Sequence, residues 1–134
     1  MFIVNFETYR ESTGKNAIML AKKLDGVAKD AKTPVYFAVQ AIDIESVARE
    51  IRHAKVIAQT IDAVGYGAHT GHILPEEIKR LGAVGTLINH SECRMSDEEL
   101  GPAIDMARSL FPDVTVVCSP SFEKTMEIEK RWDP

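Results

Sequence analysis

The segment Gly82-Ala83-Val84-Gly85-Thr86-Leu87-Ile88-Asn89-His90-Ser91-Glu92 ends an apolar run with an amide, an imidazole, a hydroxyl and a carboxylate in four consecutive positions. An imidazole can give or take a proton near neutral pH, and a nearby carboxylate can orient it or hold a substrate hydroxyl. In parallel α/β structures chemistry sits on the loops at the carboxyl ends of the strands, so His90 and Glu92 are candidates for a site. Taken alone, His90 reads more readily as a strand-end hydrogen-bonding group, and Glu92 could equally be an exposed turn residue. Asn5 and Glu7 lie in the turn after the first apolar run, where Glu7 reads by itself as a solvated strand-end carboxylate.

Other polar candidates are weaker. His69, His72, Cys93 and Cys118 fall in three separate loops or strands without a recognised ligand spacing, so no metal is expected. The turn after the first strand carries Asn5-Phe6-Glu7-Thr8-Tyr9 and no GxGxxG, which disfavours a dinucleotide site, and no cofactor is expected. His53 reads as an exposed residue at a helix end, Cys93 as a loop thiol, and Cys118 as a strand residue packing as a small hydrophobe. Glu123, Glu127 and Glu129 read as the solvated face of a helix.

The elements that must position these groups alternate in one order. Phe2 to Phe6 reads as a strand and Ser12 to Ala31 as a helix, with Ala17, Ala21, Leu24 and Ala28 at helical spacing. Val35 to Val39 is a second strand, followed by a helix capped by Asp43 with Ile44, Val47 and Ile51 on one face. Lys55 to Ile61 is a third strand and Gly65 to His72 a loop. A short helix opens at Pro75 and ends at Gly82. Ala83 to Asn89 is a fourth strand. Ser96 and Glu99 spell a capping box before Leu100, Ile104, Ala107 and Leu110, and Pro112 ends that helix. Val114 to Cys118 is a fifth strand, and Ser121 to about Trp132 a fifth helix. Strands separated by helices, with no hairpin signal, imply parallel right-handed crossovers. The fold class expected is α/β, five parallel strands alternating with helices in one domain over residues 1–134.

Composition narrows the partners. The chain has 134 residues, 45% hydrophobic and 27% charged, which is one domain's length. Sixteen basic residues against 20 acidic give a net charge of -4, and the basic residues are dispersed, so neither nucleic acid nor an anionic membrane is expected. Two cysteines without a CxxC pair, no signal-peptide pattern and no apolar span of about 20 residues point to a reduced, cytoplasmic protein.

The Gly-x-x-Gly-Thr-Leu-Ile-Asn-His-Ser-Glu segment, Asn5 in the first turn, Gln59 on the third strand and the loop Gly65-Tyr66-Gly67-Ala68-His69-Thr70-Gly71-His72 together resemble triosephosphate isomerase, most closely its shorter archaeal form. The resemblance runs over essentially the whole chain. It implies a (β/α)8 barrel, of which the chain holds the first five units, and proton shuttling between a ketose and an aldose phosphate in glycolysis and gluconeogenesis. It makes His90 the electrophile, a neutral imidazole donating a hydrogen bond to the substrate carbonyl and the enediolate. Glu92 becomes the supporting carboxylate and Asn5 a substrate contact. His69, Thr70 and Gly71 belong to a loop that crosses a subunit interface.

Two departures matter. The family carries Lys where this chain has Glu7, and a carboxylate there repels a phosphate by several kcal/mol in a partly buried cleft. The family's base is a Glu on the sixth strand, and its phosphate-gripping amides come later still, whereas a complete barrel takes about 250 residues. The expectation is an isomerase homologue that ends before the base and has little or no activity as this chain, with weak or absent triose phosphate binding. Two alternatives are a non-catalytic self-assembling half-barrel and one part of a split isomerase. Five strands also leave two unpaired edges and an inward set drawn from Phe2, Val4, Phe6, Val35, Phe37, Val56, Val84, Thr86 and Val116, so a homo-oligomer is expected.

Overall fold

The computed structural model describes residues 1–119 and 121–132, so Pro120, Asp133 and Pro134 of the expected 1–134 domain lie outside the described residues. Five strands form one sheet in sequential order: β1 (Phe2–Asn5), β2 (Val35–Val39), β3 (Lys55–Ala58), β4 (Thr86–Ile88) and β5 (Thr115–Val117). Every pairing is parallel. Helices α1 (Gly14–Ala28), α2 (Ile44–Glu50), α3 (Pro75–Arg80), α4 (Asp97–Leu110) and α5 (Phe122–Trp132) follow the strands in turn. The sheet curls into part of a (β/α)8 barrel, one of the arrangements that the alternation of elements allows.

All five strands and five helices lie where the sequence places them; β2 has the expected bounds and the other four strands are shorter. β3 stops at Ala58 and not at Ile61, because Gln59 leaves the ladder and turns its amide toward the end of the sheet. α1 begins at Gly14 and not at Ser12: Arg10–Ser12 is a 3-10 turn, and the Ser12 hydroxyl is buried and donates to the carbonyls of Phe6 and Tyr9. Asp43 does precede α2, but its side chain makes no cap there. Its Oδ2 accepts instead from the N–H of Gly14, 3.0 Å away, and ties the start of α1 to the start of α2. The predicted capping box is present: Ser96 N–H donates to Glu99 Oε2 at 2.8 Å, and Glu99 N–H to Ser96 Oγ at 3.3 Å.

Along β1 to β3 the face of the sheet that points inward differs from expectation, whereas Val116 of β5 lies on the expected side. Val4, Phe6, Phe37 and Val56 pack on the helices with Ala17, Ala21, Ile44, Val47 and Ile104, and the Phe6 and Phe37 rings lie 5.5 Å apart. The concave face is instead Tyr36, Ala38, Ile57, Leu87 and Val114, flanked by Ile3 and Val116. Tyr36 is the most exposed of those five, at 7%, so the curl buries most of the interior that was expected to be bare. Exposed large apolar groups remain at Phe2, 64% exposed, on the β1 edge and at Val84 before β4.

Two glycines set the position of β4. Gly82, with φ +110°, follows the last turn of α3 in a conformation that L side chains rarely adopt. At Gly85 an added Cβ would lie 2.2 Å from the Val114 carbonyl oxygen, so the chain before β5 approaches β4 through the space a side chain would fill.

Candidate active site

The carboxyl ends of β1, β3 and β4 open into one cavity of about 490 Å³. Asn5, Glu7, Tyr9, Gln59, His90 and Glu92 all line it, with Leu87 as apolar floor. The sequence candidates on three separate strands are therefore brought together.

Asn5 and Gln59 fix the first turn. Asn5 Oδ1 accepts from the Glu7 N–H at 3.1 Å and from Gln59 Nε2 at 3.3 Å, and Gln59 Nε2 also donates to the Glu7 carbonyl at 2.8 Å. Glu7 has φ +50°, a left-handed conformation that costs a non-glycine residue about 1 kcal/mol or more. The Asn5–Gln59 amides hold it there. Tyr9 stands near Glu7 in the same turn, and the charge of Glu7 raises the phenol's pKa above its ordinary value.

Asn89, with φ +60°, makes the corresponding turn after β4. It is 5% exposed, its Nδ2 donates to the Cys118 carbonyl at 3.1 Å, and its Oδ1 accepts from Met95 N–H at 2.9 Å. The Arg94 guanidinium donates to the Asn89 carbonyl at 2.7 Å and to that of Cys118 at 3.4 Å. This lattice aims His90 into the cavity. His90 Nδ1 accepts from the Glu92 N–H at 3.4 Å, which leaves Nε2 to carry the proton of a neutral ring. The Glu92 carboxylate stands 3.8 Å from Nδ1, beyond hydrogen-bond distance, and is mostly exposed.

Charge around the cavity is one-sided. Among the described residues that line it, Glu7 and Glu92 are carboxylates and none is Lys or Arg. Cys93 lines it as an exposed thiol. Cys118 lies just past β5, half-buried, with its thiol pKa pushed up by burial against a smaller opposite effect of Arg94.

His69, Thr70 and Gly71 are not at this cavity. They are exposed on the connection between β3 and α3, whose base is closed by Ile73 N–H to Asp62 Oδ2 at 2.6 Å and Asp62 N–H to Ile73 O at 3.1 Å. The His69 and His72 rings meet edge to face, 6.0 Å apart, and among the described residues no cluster of His, Cys, Asp and Glu could hold a metal ion. His53 is exposed after α2, and Glu123, Glu127 and Glu129 are exposed on α5. No helix among the described residues is long and apolar enough to cross a membrane.

Sequence reasoning gave Tyr9 no part in the site and Gln59 no role. The signal for Tyr9 was its spacing, two residues beyond Glu7 in the same turn. For Gln59 it was an amide following an apolar strand.

A parallel β/α barrel segment with polar groups gathered at the strands' carboxyl ends defines a class of enzyme-like scaffold. Within that class, the family model "Triosephosphate isomerase" matches residues 1–124, and the chain belongs to this family. The triosephosphate isomerase of Methanobacterium bryantii is 48% identical over 121 residues, covering 90% of this chain and 53% of the relative. That of Methanoculleus marisnigri is 41% identical over 117 residues, covering 87% and 52%. That of Sulfurisphaera tokodaii is 38% identical over 123 residues, covering 92% and 53%. The chain thus spans about half the length of the curated relatives it matches.

Proposed function

We propose that this chain carries the electrophile side of a triosephosphate isomerase site, for the interconversion of dihydroxyacetone phosphate and glyceraldehyde 3-phosphate, and that alone it turns these substrates over at or near background. The observation that supports the reading is the convergence of Asn5, Gln59 and His90 on one cavity, with His90 Nδ1 accepting a backbone N–H so that Nε2 is left as the donor. In this role Nε2–H donates to the carbonyl oxygen and to the enediolate that forms when a proton leaves the adjacent carbon. Asn5 contacts the substrate, and Glu92 lies toward its hydroxyl.

Turnover of the phosphorylated substrate needs a base and a phosphate clamp besides the electrophile. Glu7 stands where the resemblance places Lys, and its charge opposes the phosphate and the enediolate together. A polypeptide supplying the remaining strands would complete the site. The test is an isomerase assay on the chain, alone and mixed with the portion of the Methanobacterium bryantii relative beyond the matched half, with and without Glu7→Lys. Turnover that needs both the added portion and Lys at position 7 supports the reading.

A non-catalytic, self-assembling role is favoured by one observation: the two carboxylates of the cavity are unmatched by any Lys or Arg lining it. It predicts no turnover under any of these conditions.

A further inference from the structure

Glu7 is more than a lost cation. Its backbone is held at φ +50° by Asn5 and Gln59, and its carboxylate shares a cavity with His90. We propose that Glu7 and His90 form an acid–base pair that enolises small unphosphorylated α-hydroxy carbonyl compounds, with Glu7 as the base. The inference rests on the reading of His90 as electrophile.

The substrate class follows from charge. Two carboxylates with no Lys or Arg lining the cavity disfavour a phosphate, and the one nearby guanidinium that the site geometry uses, Arg94, is engaged with the carbonyls of Asn89 and Cys118. A neutral triose meets no such repulsion. Its carbonyl can accept from His90 Nε2–H, and its hydroxyls can bond with Asn5 and Gln59. A volume of about 490 Å³ admits a three-carbon sugar with room for water.

The step is balanced within the chain. Glu7 takes a proton from the hydroxyl-bearing carbon, and the electron pair of that C–H bond becomes the C=C bond of an enediolate. The carbonyl oxygen takes the charge and then the Nε2 proton of His90. The imidazole recovers a proton from the neighbouring hydroxyl, the C=O forms there, and Glu7 returns its proton to the other carbon. No oxidant, reductant or leaving group takes part. Tyr9 lines the same cavity beside Glu7.

Deuterium incorporation into dihydroxyacetone in D2O, followed by proton NMR with the 134-residue chain, reads this directly. The chain is expected to exceed the buffer rate, and Glu7→Gln and His90→Gln each to lower the excess by about 100-fold, with circular dichroism unchanged. Glu7→Lys serves as a second variant should Glu7→Gln not fold, with the same loss expected. Exchange no faster than buffer, exchange indifferent to Glu7, or an excess for dihydroxyacetone phosphate as large as for dihydroxyacetone would overturn the proposal. Failure of the isomerase reading is distinguishable, because it appears in the completed triose phosphate assay, as absent turnover or as turnover that does not depend on His90.

Discussion

Single side chains in this protein divide into those that face the cavity and those that hold the frame around it. Asp25 belongs to the second group. It is 7% exposed on α1, and its carboxylate accepts from the N–H groups of Arg52, His53 and Ala54 at 2.9, 2.9 and 2.7 Å. Burial by itself raises its pKa; the three backbone donors outweigh burial and leave the pKa below its ordinary value. A carboxyl with a lowered folded pKa adds stability that is present above its unfolded pKa of about 3.9 and is lost as pH falls through the folded value. Asp25→Asn is therefore expected to cost about 2–4 kcal/mol at pH 7 by urea denaturation, and less than that below about pH 3. The cysteines give a second residue-level expectation. A maleimide should label exposed Cys93 at least about tenfold faster than half-buried Cys118, whose thiol pKa is raised; equal rates would contradict the burial of Cys118.

At the scale of elements, β4 matters most because it delivers His90. Gly85→Ala would force a Cβ against the backbone oxygen of Val114, which cannot move aside as a flexible side chain could. A loss of about 2–3 kcal/mol is expected in chemical denaturation, together with a shifted His90 resonance in NMR spectra. The cap of α4 is smaller in effect: Ser96→Ala is expected to cost about 1 kcal/mol. Element order and the starts of α3 and α4 were legible in the sequence because Pro75, Gly82, Ser96 and Glu99 are local signals with local causes. The inward face was not. β1, β2 and β3 carry apolar side chains on both sides, Val4, Phe37 and Val56 toward the helices and Ile3, Tyr36 and Ile57 toward the concavity, so alternation cannot tell one face from the other. Strand ends were unreadable for a different reason. Gln59 would continue a strand by pattern, yet its amide bonds to Asn5, Glu7 and Ala38 once the sheet curls. That Asn5, His90 and Glu92 would line one cavity was legible through a motif, whereas the approach of Tyr9 to Glu7 depends on a left-handed turn that the residue types do not announce.

For the whole molecule, the open sheet leaves the outer edges of β1 and β5 unpaired within the described residues. We propose self-association through these edges or through the projecting His69–Gly71 loop. Light scattering coupled to size exclusion should give a mass of at least twice 14.8 kDa; a stable monomer at micromolar concentration would contradict it. The central claim concerns the site, and it is tested most directly by triose phosphate isomerase turnover of the Glu7→Lys chain combined with the remaining half of an archaeal relative, measured with His90 intact and with His90→Gln. The predicted result is background turnover by the unmodified chain alone, turnover in the combined protein, and its loss on His90→Gln. Turnover by the chain alone at the rate of the full-length relatives, or turnover in the combined protein that is indifferent to His90, would contradict it.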